Sequence, residues 1–111
     1  MNPREKLKRE LMQKRGYCEG QAYFPHRCIG GLEMNELFYK RNDCKQSEQK
    51  KYIVDERNCC LICSWFHMTH GHTKGFTRWY AQVQAENYDD FREYLDEAPF
   101  KIKTTSRSLL D

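Results

Sequence analysis

No stretch of this 111-residue chain is apolar over anything near the ~20 residues that a membrane-spanning helix requires. Residues 1–15 are charged throughout and hold no apolar block of the secretory-leader kind. Proline is scarce and glycine nearly so, with 3 and 6 residues, and neither gathers with serine into a linker. No segment repeats. These absences argue against a membrane span, an export signal and a two-domain layout, and they predict one cytoplasmic domain over residues 1–111. A complete four-thiolate metal signature is also missing: of the 6 cysteines, Cys60 and Cys63 make the lone C-x-x-C spacing. Apolar residues reach 39% against 32% charged, so the core is small and gains from an added constraint.

What is present is more particular. Aromatics make up 14%, too many for a disordered chain. The net charge of +3 is modest but unevenly spread. Residues 1–15 carry Arg4, Lys6, Lys8, Arg9, Lys14 and Arg15 against Glu5 and Glu10, and residues 39–52 are also basic. Residues 86–97 reverse the sign. A basic front and an acidic back would orient the molecule on a polyanion, unless these are simply solvated helix faces. In a reducing compartment disulfides are rare, so six thiols point to metal ligation or burial.

The hydrophobic periods divide the chain. Leu7 and Leu11 at i, i+4 behind Pro3 predict a helix over 3–15, closed by Gly16. Residues 17–25 read as irregular or a short strand, with a turn at Gly30-Gly31. Alternation predicts a strand over 32–39, then a polar loop over 41–51 and a short extended piece over 52–54. Residues 58–63 are apolar and thiol-rich, as a buried second strand would be. Ser64 then caps a helix to about His70, with Gly71 closing it. Phe76, Trp79, Tyr80 and Val83 predict an amphipathic helix capped by Thr73, and Phe91, Tyr94 and Leu95 a shorter one stopped before Pro99. Residues 100–103 form a last strand or tail, and 104–111 are expected to fray. The expected class is α+β, with an N-terminal helix (1–16), a core (17–72), a helical extension (73–103) and a tail.

Three of the four histidines, His67, His70 and His72, lie within six residues of one another, just after Cys63. Residues three apart share a helical face, so His67 and His70 could address one ion, with His72 folding back beyond Gly71. Glu33, Asn35 and Glu36 would supply oxygens from the preceding strand. Strand alternation puts Glu33 and Asn35 on one face and Glu36 on the other. A carboxylate beside a metal can orient or deprotonate water. The plainer alternative is a solvated strand edge and surface histidines.

The run Leu32-Glu33-Met34-Asn35-Glu36-Leu37-Phe38, followed by Asn58-Cys59-Cys60-Leu61-Ile62-Cys63-Ser64-Trp65-Phe66-His67, resembles the HNH nuclease module, in particular its small bacteriophage members. The likeness covers about residues 17–72, and less specifically the helices after it. It implies a β-hairpin and helix (a ββα-metal core) clamping one divalent ion: Mg, Mn, Ni or Zn. Asn58 matches the central Asn that pins the hairpin loop. His67 matches the metal-binding histidine, and His70 or His72 the trailing one. Asn35 stands where the family places a metal-binding histidine or aspartate, and Glu36 at the general-base position. Phe66 stands where a second thiol would complete a Cys-x-x-Cys pair, so a structural zinc on Cys18, Cys28 and Cys63 needs a fourth ligand, for which His26 is the candidate. The resemblance leaves Cys44 and Cys59 without a role.

The implied activity is divalent-metal-dependent phosphodiester hydrolysis of DNA, weakened by Asn35, with Lys14, Arg15, Lys40 and Arg41 on the phosphates. It further implies a place beside a phage large terminase subunit in the host cytoplasm. The alternative is a catalytically degenerate DNA- or protein-binding module on the same scaffold.

Overall fold

A computed structural model describes residues 2–41, 47–97 and 106–111. Helix α1 (Pro3–Lys14) starts where Asn2 accepts a hydrogen bond from the Glu5 N–H at 2.8 Å, with Pro3 in the first turn. Gly16, at φ +66, takes the left-handed conformation that lets the chain leave the helix. Strands β1 (Leu32–Glu36) and β2 (Cys59–Cys63) pair antiparallel, with Leu32 opposite Cys63, Met34 opposite Leu61 and Glu36 opposite Cys59. Helices α2 (Ser64–Thr69), α3 (Lys74–Asn87), α4 (Phe91–Asp96) and α5 (Ser106–Leu110) follow. The fold is α+β: a two-stranded hairpin with helices.

A two-stranded ribbon is marginal in water by itself, and here both faces are covered. Leu7 and Leu11 of α1 pack with Met34, Cys59 and Leu61 on one face. On the other, Cys60 and Ile62 join the main core with Phe66, Phe76, Tyr80, Phe91 and Leu95. Every residue of β2 is buried, which accounts for its unbroken apolar run. In α3 the fully buried stripe is Phe76, Tyr80, Ala81 and Gln84; Trp79 and Val83 pack half-buried at its edge. Gln84 is buried because its amide donates to the Glu56 and Arg57 carbonyls, at 3.2 and 3.1 Å.

Several boundaries differ from the sequence expectation, each for a local reason. Residues Glu19–Ala22, in the segment expected to be irregular or a short strand, form a 3-10 turn, and so do Ser47–Tyr52, most of them in the expected polar loop and Tyr52 in the expected extended piece. The cap of α2 is Cys63, whose Sγ accepts from the Phe66 N–H, so Ser64 is the first helical residue. The end of the chain is a helix, not a frayed tail. Leu109 is buried, Ser106 N–H and Oγ–H donate to the two Asp96 carboxylate oxygens at 3.0 and 2.6 Å, and Arg92 pairs with Asp111 at 2.9 Å. Pro99, the extended piece at 100–103 and Cys44 lie outside the described residues. No helix among the described residues is long and apolar enough to cross a membrane.

The long connection between the strands is closed by one side chain. Asn58 Oδ1 accepts from Phe38 N–H and Tyr39 N–H, both at 2.8 Å, while its Nδ2 donates to the carbonyls of Tyr39 (2.9 Å) and Ile53 (3.0 Å). All four positions of the amide are filled and the residue is fully buried.

Candidate metal centre and histidine cleft

Cys18 precedes the Glu19–Ala22 turn, His26 and Cys28 sit on the loop after it, and Cys63 ends β2. The fold brings all four donors together, every ligand atom within 4.8 Å of the others. His26 Nε2 lies 3.6 Å from Cys18 Sγ, 3.7 Å from Cys28 Sγ and 3.4 Å from Cys63 Sγ. A tetrahedron with zinc–sulfur bonds of ~2.3 Å and a zinc–nitrogen bond of ~2.0–2.1 Å sets its donors about 3.5–3.8 Å apart. The cluster can therefore hold a metal ion with little movement.

Neighbouring groups aim these donors. His26 Nδ1 lies 2.6 Å from the Phe24 carbonyl, so it carries the proton and Nε2 faces the sulfurs. The imidazole stacks on Phe66, with ring centres 4.9 Å apart. Gln21 clamps the loop: its amide oxygen accepts from His26 N–H at 3.1 Å, and its Nε2 donates to the His26 carbonyl at 2.7 Å and to Cys28 Sγ at 3.1 Å. Burial raises the Cys18 thiol to about 11. Burial also pushes the Cys63 thiol up, but contacts led by the backbone N–H of Phe66 outweigh it and bring Cys63 down to about 7.

A second constellation lies where β1 ends against α2. A cavity of about 200 Å³ is lined by Arg4, Met34, Asn35, Glu36, Lys40, Arg41, His67 and His72. The His67 and His72 ring centres are 5.0 Å apart. Glu33 Oε1 lies 2.8 Å from His67 Nδ1, and Ser64 Oγ donates to Glu33 Oε2 at 3.1 Å. Those two contacts hold the Glu33 carboxyl below its ordinary range, His67 contributing most. Burial, then electrostatic repulsion from the His67 and Lys40 side chains, lowers the His72 imidazole. Asn35 is buried and its Nδ2 donates to the Gly71 carbonyl at 2.8 Å, which ties the turn carrying His72 to β1.

Glu36 closes the cleft from the α1 side. Its Oε1 is 3.8 Å from Arg4 Nε and 3.6 Å from Arg41 Nε. Its other oxygen, Oε2, is buried with no hydrogen-bond partner, and so is Arg4 Nε. A buried carboxylate oxygen in that state has acceptor capacity left for a hydrogen-bond donor or a cation. A larger cavity of about 380 Å³ shares Glu36 and Arg41 with the cleft and adds Lys50, Ile53 and Val54. Among the described residues, the Cys18 cluster is the one group of three or more Cys, His, Asp or Glu donors gathered within 4.8 Å; the cleft donors stand farther apart.

Three residues named from the sequence, His70, Arg15 and Lys14, lie away from the cleft. His70 does not share the cleft with His67. Helix α2 ends at Thr69, so helical spacing lapses there, and the His70 ring stacks on Phe24 and Phe66 with centres 5.0 and 4.9 Å away. Arg15 is not a free phosphate contact. Its guanidinium turns inward to Glu19 (3.2 Å), the Cys59 carbonyl (2.8 Å) and the hydroxyls of Tyr80 and Tyr88 (both 3.2 Å). Lys14 is exposed and paired with Glu56 at 3.0 Å; Lys40 and Arg41 line the cleft, where Arg41 pairs with Glu36. The sequence marks no role for Gln21 and shows Arg4 only as one of the N-terminal cations. Gln21 could have been suspected from its place between Cys18 and Cys28; nothing marked Arg4 beyond its charge.

No protein-family model, no curated protein and no solved structure matches this chain.

Proposed function

We propose that the chain is a DNA endonuclease of the HNH type, built on a zinc-stapled hairpin and helix. The observation that carries this reading is that Asn35, Glu36, His67 and His72 line one cleft. The Asn58 clamp and the zinc-sized cluster of three thiols and one imidazole support it. Zinc suits that cluster because soft thiolates and a neutral imidazole in a tetrahedron are its preferred donors.

In the cleft, the imidazoles of His67 and His72 and the amide oxygen of Asn35 would hold a divalent ion. When bound, that ion would stabilise charge on the scissile phosphate and the leaving oxygen. Glu36 Oε2 takes a proton from the attacking water, its carboxylate steadied by Arg4 and Arg41. Lys40 and Arg41 hold flanking phosphates without reading sequence. Through the same resemblance, the working partner is a phage large terminase subunit in the host cytoplasm.

A second reading is favoured by one observation. The Asn35 amide nitrogen is committed to Gly71, where the family has an imidazole or carboxylate ligand. A scaffold so altered would bind DNA or protein without cutting. Plasmid nicking with Mg²⁺, Mn²⁺ or Ni²⁺ against an EDTA control separates the two. Native protein should nick weakly, Asn35→His at lower Mn²⁺, and His67→Ala not at all. Native protein and Asn35→His equally inert with every metal, while both bind DNA, would leave the binding module standing.

A further inference from the structure

Glu33 has no part in the mechanism above, yet it makes the closest polar contact to the cleft's helix-borne imidazole: Oε1 stands 2.8 Å from His67 Nδ1. The contact is itself supported, since Ser64 Oγ donates to the other carboxylate oxygen at 3.1 Å and is also 3.2 Å from the Gly31 carbonyl. Register explains the meeting. Glu33 and Asn35 alternate onto the β1 face that looks at α2, and Glu33 lies opposite Ile62, just before the strand runs into that helix. A neutral imidazole carries one proton on one of its two nitrogens, and a carboxylate accepts and cannot donate. A carboxylate against Nδ1 therefore puts the proton there and leaves the Nε2 lone pair free. The His67 ring lines the cleft 5.0 Å from the ring of His72, so Nε2 is the nitrogen left for a ligand in it.

We infer that Glu33 is a positioning residue: it fixes His67 as the Nδ1–H tautomer, leaves Nε2 free as the ligand atom, and makes the His67–His72 pair a site for an imidazole-seeking divalent ion such as Ni²⁺. Carboxylate–histidine pairs tune metal sites in this way, and losing the outer partner typically weakens metal binding ~10–100-fold. The consequence for catalysis rests on the nuclease reading; the tautomer and the metal affinity do not.

The test uses the full chain with its thiol site loaded with zinc and Ni²⁺ as the probe, at about pH 8, above the ordinary imidazole range. Long-range proton–nitrogen NMR should show His67 in native protein as the Nδ1–H tautomer. In Glu33→Ala the preference should disappear, and Ni²⁺ affinity, read from the His67 and His72 signals, should fall ~10–100-fold. Glu33→Gln, which offers only a neutral oxygen, should fall between the two. A native His67 found as the Nε2–H tautomer overturns the inference without any variant. So does an unchanged tautomer or unchanged Ni²⁺ affinity in a folded Glu33→Ala protein. If the NMR and Ni²⁺ results hold while DNA is never cut, the nuclease reading fails and the role of Glu33 stands.

Discussion

Replacing Asn58 by alanine removes the side-chain partner of four backbone groups at once. Two are donors, the N–H groups of Phe38 and Tyr39; two are acceptors, the carbonyls of Tyr39 and Ile53. Phe38, Tyr39 and Ile53 are all buried, so bulk water does not reach them. The Ile53 carbonyl keeps the Cys59 thiol at 3.6 Å; a buried group left unpaired costs ~1–3 kcal/mol, and the lower figure gives about 3 kcal/mol for the other three. A water entering the vacated space can satisfy some of them, which brings the expected loss to about 3–5 kcal/mol. Against a total of roughly 5–15 kcal/mol for an ordinary domain, that is a large share. At roughly 4–8 °C per kcal/mol for a domain near this size, the melting temperature should fall by about 12 °C or more. Urea denaturation of zinc-loaded native and Asn58→Ala proteins measures it directly. Asn58→Asp is the control: it keeps both acceptor positions but cannot donate to Tyr39 and Ile53 and buries a charge, so it should not rescue. A loss below about 1 kcal/mol for Asn58→Ala would refute the claim that this amide holds the hairpin loop.

Elemental analysis should find one tightly held zinc per chain, lost in Cys63→Ser and in His26→Ala but kept in Cys59→Ser; chelation that leaves the melting temperature unchanged would return the four residues to ordinary packing. Arg15→Ala should cost about 3–5 kcal/mol, because it leaves the buried Glu19 carboxylate without its cation, while DNA affinity barely changes; a stable variant with weakened DNA binding would reverse that assignment. Asp96 sits below its ordinary carboxylate range, chiefly through the Ser106 hydroxyl, so its contribution is complete above the unfolded value and lost as pH falls through the folded one. Protection factors in α5, taken relative to the intrinsic exchange rate at each pH, should therefore fall on acidification ahead of those in β2, and Asp96→Asn should remove most of that dependence.

Much of the fold is carried by local rules that a sequence displays. Leu7 and Leu11 behind an Asn-Pro start mark α1, the thiol-rich apolar run marks β2, and Thr73 with Phe76 and Tyr80 marks α3. Each signal is a spacing along the chain, and each element forms where its spacing demands. The donors of the candidate metal centre, Cys18, Cys28 and Cys63 with His26 as the fourth, were named through the resemblance, since thiol chemistry by itself does not set them apart from Cys44, Cys59 and Cys60. Only the tertiary structure could bring them to one point, since Cys63 arrives from a strand 35 residues beyond Cys28. The same holds for the histidines. Spacing alone pairs His67 with His70, but α2 stops at Thr69, and the turn held by Asn35 and Gly71 brings His72 to the cleft instead. Arg15 reads as one more cation of a basic helix; it is buried because Glu19, Tyr80 and Tyr88, far apart in the chain, surround it once folded. Periodicity records which face of an element seeks the core, whereas a site depends on which elements meet, and that is settled by packing between residues with no local relation to one another.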